Sequence, residues 1–214
     1  MDIATIYKPL GQYSIDELRS VILSQPDEAW SEQTLRQNTY EVHKDTTSIV
    51  MLFCDESWPD GKVHKDKGWS RLADAATPVI DAILQQHYQP GGMVIRAMAA
   101  KLKPQGQIHP HTDSLHSFHL GHRIHVPITT NPAVRFTIDG KPFPFAVGQA
   151  YEINNQKRDY IKIIPGMAFG TGSHETTQLV ITNMIKYINC EYTAWMQNVL
   201  NVKELQFWMM MLLE

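Results

Sequence analysis

Cysteine is scarce in this chain, which has only Cys54 and Cys190 among its 214 residues. Two cysteines do not suggest a disulfide framework, so the composition favours a reducing compartment, and we expect a cytoplasmic protein. The N-terminus lacks a basic stretch followed by an apolar run, which predicts that there is no signal peptide. No apolar run reaches the roughly 20 residues that a membrane-spanning helix needs, so we expect no membrane partner.

Blocks of like charge are also missing. The formal net charge is -3, with acidic and basic residues interspersed, which gives no reason to expect nucleic acid as a partner. Apolar residues make up 43% of the chain, enough for a sizeable core. The length predicts one domain, or one domain with an appendage.

Two helices are predicted before residue 92. The capping box at residues 14–17 begins the first, which ends near Pro26. Thr77 and Pro78 are predicted to begin the second, as N-cap and first helical residue. The residues between 55 and 70 are rich in Asp, Lys, Gly and Pro, and we interpret them as a long loop.

Short strands dominate the sequence from Gly92 onward. Asp139-Gly140 is a strong signal for a two-residue hairpin. Close spacing and tight turns predict a barrel or sandwich, mainly β, with the helices packed outside. The predicted strands, including one that precedes Gly92, are 48–53, 94–102, 122–128, 134–138, 141–147, 150–153 and 161–164.

The pattern His-x-Asp occurs three times, at residues 43–45, 64–66 and 111–113. In an extended segment such residues point to the same side, roughly 6 to 7 Å apart. Two histidines and one carboxylate on one face leave open positions on ferrous iron. The first two copies lie in polar, lysine-bearing stretches, and we interpret them as solvated loops. His111 and Asp113 follow a strand and are candidate metal ligands; the alternatives are an exposed polar loop or, with no cysteine nearby, a less favoured zinc site.

Arg123 and His125 form a second feature. They share one face of a predicted strand whose other face carries Ile124 and Val126. This pattern fits a barrel interior that holds an anion, because arginine can bind a carboxylate through two parallel hydrogen bonds. The alternative is an exposed strand face with a surface salt bridge.

The stretch from Ile95 to Lys157 resembles the aspartyl/asparaginyl β-hydroxylase family of Fe(II)- and 2-oxoglutarate-dependent oxygenases. The segments that carry the resemblance are His109–Asp113, Gly121–Pro127, the hairpin Phe136–Gly140, and Gly148–Asn155. The resemblance implies a double-stranded β-helix (a jelly roll, cupin-like) that encloses iron. It also implies hydroxylation of an amino-acid side chain or related small molecule, in a small-molecule or peptide substrate, coupled to conversion of 2-oxoglutarate to succinate.

The same resemblance assigns roles to individual residues. His111 and Asp113 would be the first two iron ligands, and Arg123 and His125 match positions that contact 2-oxoglutarate. The family's distal histidine is missing, and Asp159 stands near its place.

The family's next arginine is missing too, since Phe169 stands near its place and no arginine follows Arg158. Asp159 and His174 are the candidates for a third ligand, although His174 could instead face solvent at the start of a helix. With only two fixed ligands we expect weak iron binding and impaired turnover.

Residues 161–177 resemble a different family, the ribosomal protein L11 methyltransferases. The glycine-rich loop that would bind S-adenosylmethionine is absent from residues 178–214. The junction near Arg158 therefore suggests a chimeric C-terminus. We divide the chain into an oxygenase-like jelly-roll domain with N-terminal helices, residues 1–160, and an atypical segment, residues 161–214, packed on or extending the same domain.

Two functions compete with the oxygenase interpretation. A non-catalytic jelly-roll domain could bind a small carboxylate or a peptide without iron, and a methyltransferase fragment is the less favoured third reading. The apolar tail at residues 205–213 could cover an open sheet edge or mediate a homodimer, because exposed apolar patches usually have a use.

Overall fold

The computed structural model describes residues 2–34, 38–39, 41–131, 133–157, 159–163 and 206–213, with 159, 160, 163 and 206–213 described as backbone. The strands are β1 Tyr7–Gln12, β2 Thr46–Cys54, β3 Val63–Lys65, β4 Val94–Leu102, β5 Gln107–His111, β6 His122–Pro127, β7 Val134–Ile138, β8 Lys141–Pro142, β9 Gln149–Ile153, β10 Asp159–Ile163 and β11 Gln206–Leu213. The helices are α1 Asp16–Leu23, α2 Gly68–His87 and α3 His116–Leu120, with 3₁₀ turns at Asp27–Trp30 and Glu41–His43.

The strands form two sheets in which every described pair is antiparallel. The larger sheet has the order β1-β9-β6-β11-β4-β2-β3, and the smaller has the order β5-β10-β7-β8. From β4 onward the chain alternates between them, with β4, β6, β9 and β11 in the larger sheet and β5, β7, β8 and β10 in the smaller. This alternation defines a double-stranded β-helix, and the predicted fold class is confirmed.

Strand β11 lies inside the larger sheet, between β4 and β6. Met210 is paired with Met98 on one side and with His125 on the other. The C-terminal tail thus closes two strand edges of its own chain, which agrees with the predicted covering of a sheet edge. Its alternative use in a homodimer, and the predicted domain boundary at residue 160, stay predictions.

The larger sheet separates two apolar cores. Its outer face packs against α1 and α2, and the buried residues of this core include Ile80, Ile83, Ile124 and Val126. Its inner face looks toward the smaller sheet, and that core includes Met98, Leu102, Ile108, Phe136 and Ile138. Because successive residues of a strand point to opposite faces, the outward Ile124 and Val126 leave Arg123 and His125 on the inner face.

The predicted start of α2 at Thr77 is wrong. The helix begins at Gly68, so Pro78 lies in its interior. An added Cβ at Gly68 would lie 2.3 Å from the carbonyl oxygen of Val50, so this end of the helix packs directly on the β2 backbone. The predicted loop at residues 55–70 is also wrong in part, because it contains β3 and the first residues of α2.

A buried carboxylate joins the end of α2 to the outer face of the sheet. Glu152 is 3% exposed and accepts hydrogen bonds from the Tyr88 hydroxyl, at 3.0 Å, and from Nδ1 of His122. Burial acts to raise the pKa of Glu152, but the hydrogen bond and charge of His122 and the bond from Tyr88 outweigh it. The pKa of Glu152 therefore lies below its ordinary value.

We expect Glu152→Gln to reduce the free energy of unfolding by about 1–3 kcal/mol at pH 7, because it weakens two buried hydrogen bonds. The folded-state pKa lies below the unfolded value of about 4.3, so this contribution is complete above that pH and is lost as pH falls through the folded pKa. Urea unfolding between pH 7 and pH 3 should show the two proteins converging at acidic pH. The exposed Glu56→Gln serves as control, and a gap independent of pH would contradict the prediction.

Candidate active site

A bulge in β5 sets the direction of His111. Ile108 pairs with Ile161 and His111 pairs with Asp159, so three steps along β5 correspond to two along β10. Without the extra residue, positions three apart would face opposite sides of the sheet. The bulge puts His111 on the same side as Ile108, which belongs to the inner core.

Three of the predicted side chains meet on this inner face. Nδ1 of His111 is 2.8 Å from the carbonyl oxygen of His109 and donates to it, so the second ring nitrogen, Nε2, is the one that would bind a metal. That Nε2 is 3.9 Å from Oδ1 of Asp113, and Nη1 of Arg123 is 3.0 Å from Oδ2 of the same carboxylate. The exposed fractions of the three side chains are 15%, 13% and 5%, so the alternative of an exposed loop does not hold.

The predicted partner His125 is fully buried two residues along β6. Its ring centroid is 6.1 Å from that of Phe136, on the facing sheet. Burial lowers the pKa of the His125 imidazole well below its usual value, and the charge of Arg123 lowers it further. A neutral imidazole beside a guanidinium therefore forms this wall, and the alternative of a surface salt bridge on this strand is wrong.

The donor atoms of His111 and Asp113 fit a divalent transition metal in kind. A neutral imidazole nitrogen and a carboxylate oxygen are two of the three groups in the iron site of non-haem oxygenases. Two donor atoms that each bind one ion at about 2.1 Å lie roughly 3–3.5 Å from each other. The distance from Nε2 of His111 to Oδ1 of Asp113 is 3.9 Å, so a small rotation of the Asp113 side chain would bring the two atoms into this range. The carbonyl oxygen of His109 accepts the hydrogen bond from Nδ1 of His111 and so orients its ring. Histidines that bind metal ions usually have such a hydrogen-bond partner.

The described residues contain no group of three His, Cys, Asp or Glu side chains able to hold a metal ion. Asp159, one of the two predicted candidates, is the β10 residue whose Cα pairs with that of His111. The other candidate, His174, lies outside the described residues. Metal binding by any of the four predicted ligands stays a prediction.

Sequence reasoning missed His43, which it placed in a solvated loop. This residue ends a 3₁₀ turn, is half-buried, and its ring centroid lies 5.7 Å from that of His111. In the second such pattern His64 is exposed to solvent as predicted and pairs with the exposed side chain of Asp55, although it lies in β3 and not in a loop. No signal in the sequence around His43 distinguished the two cases.

Asn155 anchors the segment of the chain that runs from Asp113 through α3 to Arg123. Its side chain is buried, and its Nδ2 donates to the carbonyl oxygens of Phe118, at 2.8 Å, and Gly121, at 3.0 Å. These bonds tie the middle and the C-terminal end of α3 to the residues after β9. They position the segment that separates the carboxylate from the guanidinium along the chain.

The fold and this site define a double-stranded β-helix protein with a buried His-x-Asp pair and an arginine on its inner wall. The family model described as Aspartyl/Asparaginyl beta-hydroxylase matches residues 16–157, more than half of the chain. The chain therefore belongs to the aspartyl/asparaginyl β-hydroxylase family, and its predicted kinship is confirmed.

The second predicted resemblance, of one segment to the ribosomal protein L11 methyltransferases, is confirmed as well. The model described as Ribosomal protein L11 methyltransferase matches residues 144–199. The ribosomal protein L11 methyltransferase of Agathobacter rectalis is 68% identical over 28 residues, which are 13% of this chain and 9% of that protein. The chain thus aligns with less than a tenth of that relative, and the two family matches overlap near the predicted junction.

Three solved structures resemble the chain, with TM-scores below 0.5. A 2OG-Fe(II) oxygenase family oxidoreductase from Burkholderia pseudomallei has 7% identity and a TM-score of 0.46, covering 79% of this chain and 66% of its own. The viral collagen prolyl hydroxylase of Paramecium Bursaria Chlorella virus-1 has 6% identity and a TM-score of 0.45, covering 98% and 95%. The α-ketoglutarate-dependent epimerase SnoN from nogalamycin biosynthesis has 9% identity and a TM-score of 0.46, covering 98% and 77%.

Across the part of the chain that the structure describes, no helix is both long enough and apolar enough to cross a membrane.

Proposed function

We propose that this protein is an Fe(II)- and 2-oxoglutarate-dependent hydroxylase of an amino-acid side chain or related small molecule, presented as a free molecule or within a peptide. The observation that carries the proposal is the meeting of His111, Asp113 and Arg123 on the inner face of the β-helix. Membership of the hydroxylase family supports the reaction class. The low cysteine content supports a cytoplasmic location.

Each residue has a definite task in this proposal. Nε2 of His111 and Oδ1 of Asp113 hold the iron, and the pairing of Asp159 with His111 makes Asp159 our choice for the third ligand. Arg123 holds Asp113 and offers its charge to the carboxylate of 2-oxoglutarate. The neutral His125 lines the site without adding a second positive charge next to Arg123. Iron with 2-oxoglutarate supplies the oxidising chemistry when bound.

The test is the oxygen-dependent release of succinate from 2-oxoglutarate with added Fe(II). We expect slow but measurable turnover, reduced more than about 10-fold in His111→Ala because a metal ligand is lost. The matched control is His64→Ala, which removes the histidine of an exposed His-x-Asp pattern and should leave the rate unchanged. Equal rates in wild type and His111→Ala, with no iron affinity at micromolar concentrations in either, would remove the proposal.

A second candidate function is a non-catalytic jelly-roll domain that binds a carboxylate without iron. The observation that favours it is the pairing of only two metal donors among the described side chains. The two candidates separate on metal dependence, since the binding domain would retain carboxylate affinity in the presence of a chelator.

A further inference from the structure

Arg96 is a second buried arginine on the inner face of the larger sheet, and the function proposed above gives it no task. It lies in β4 and is 3% exposed. Its guanidinium carbon is 4.7 Å from the ring centroids of both Phe53 and Phe118, so the charged group contacts two aromatic rings. Its Nε donates to the sulfur of Cys54 at 3.2 Å.

This guanidinium has no counter-charge in the described part of the chain. Its Nη2 is buried and has no hydrogen-bond partner there, and Cys54, its one polar contact, is a weak acceptor. The two rings provide cation–π stabilisation but do not accept the remaining N–H groups. A buried charge without a partner is strongly unfavourable, which points to an anion that binds at this position.

The register of the sheet places Arg96 beside the proposed active site. Leu212 of β11 is paired with Arg96 on one side and with Arg123 on the other. Directly paired residues share a face of the sheet, so both arginines belong to the inner face, with their backbones two strand spacings, or roughly 9.5 Å, apart. The strand between them, Gln206–Leu213, contains neither arginine nor lysine.

We infer that Arg96 binds the distal carboxylate of 2-oxoglutarate, in place of the arginine that is missing after Arg158. One carboxylate of a dicarboxylate bound on the inner face would meet Arg123, which lies beside Asp113. The other carboxylate would meet Arg96, on the opposite side of β11. Guanidinium groups bind carboxylates through paired, charge-assisted hydrogen bonds, and the unpartnered Nη2 supplies such a donor. This inference rests on the function proposed above.

The experiment compares two keto acids by calorimetry, with Mn(II) in place of iron. Both 2-oxoglutarate and 2-oxobutyrate have the metal-chelating keto acid, but only 2-oxoglutarate has a distal carboxylate. We expect Arg96→Gln to weaken 2-oxoglutarate binding about 10- to 100-fold and to leave 2-oxobutyrate binding unchanged. Arg96→Lys, which keeps the charge, should retain part of the preference, and Arg71→Gln, from a surface pair with Glu32, should retain all of it.

The outcomes separate this inference from the proposed function. If wild type binds Mn(II) and Arg96→Gln keeps the full preference for 2-oxoglutarate, the role of Arg96 is overturned while the metal site stands. If wild type binds no Mn(II), the metal site fails, and glutarate binding to the metal-free protein then tests Arg96 by itself. Glutarate affinity that is lost in Arg96→Gln supports the inference, and its absence in wild type overturns it. Circular dichroism checks folding, and Arg96→Lys carries the test if Arg96→Gln does not fold.

Discussion

Asp113→Asn is expected to lower the affinity for Mn(II) or Fe(II) by more than about 100-fold, since even outer-shell substitutions cost about 10- to 100-fold. The same change should reduce the free energy of unfolding by about 3–5 kcal/mol. Arg123, whose side chain is 5% exposed, pairs with this carboxylate at 3.0 Å, so the substitution removes a buried ion pair and leaves the guanidinium charge in place. Calorimetric titration measures the first effect and urea unfolding the second.

Two further variants separate the effects on the metal and on stability. Adding Arg123→Met to Asp113→Asn removes the buried guanidinium charge, so we expect part of the lost stability to return while metal affinity stays low. Asp60→Asn, at an exposed carboxylate, should change neither quantity. Undiminished metal affinity in Asp113→Asn would show that this carboxylate is not a ligand.

Met210→Pro is expected to disrupt the larger sheet from its centre. Met210 has a paired residue on each side, Met98 and His125, so the proline ring removes a ladder donor and displaces the strand. Two buried backbone groups that lose their partners cost about 1–3 kcal/mol each, against a total stability of roughly 5–15 kcal/mol. We expect a lower thermal midpoint and aggregation through the exposed strand edges.

Met210→Val is the matched control for this strand. Valine keeps the backbone donor and favours extended structure, so the thermal midpoint should stay close to that of wild type. If Met210→Pro unfolds at the same temperature as Met210→Val, residues 206–213 do not form a central strand.

Much of the candidate site was predictable because short-range geometry controls it. Two residues two positions apart in an extended segment share a side, which was enough to group His111 with Asp113 and Arg123 with His125. The alternation on β6 then placed Ile124 and Val126 on one face of the strand and Arg123 and His125 on the other. The order of these motifs along the chain identified the family.

Other features depend on contacts between distant segments. His43 reaches His111 only because a 3₁₀ turn before β2 packs near β5. Arg96 stands out in the apolar run of β4, but its confinement by Phe53 and Phe118 requires three separate elements to meet. The start of α2 at Gly68 depends on its close approach to the β2 backbone, which overrides the local signal at Thr77 and Pro78.

By itself the sequence determined the fold class, the strand faces and the family, because alternation and turn chemistry are local properties that each segment carries. The tertiary structure decided which way His111 points, because an extra residue in β5 has meaning only against the register of β10. It also decided that β11 lies between β4 and β6, since a strand acquires its neighbours only when the whole sheet assembles. The unbalanced charge of Arg96 appears only in that assembled interior, where solvent no longer surrounds it.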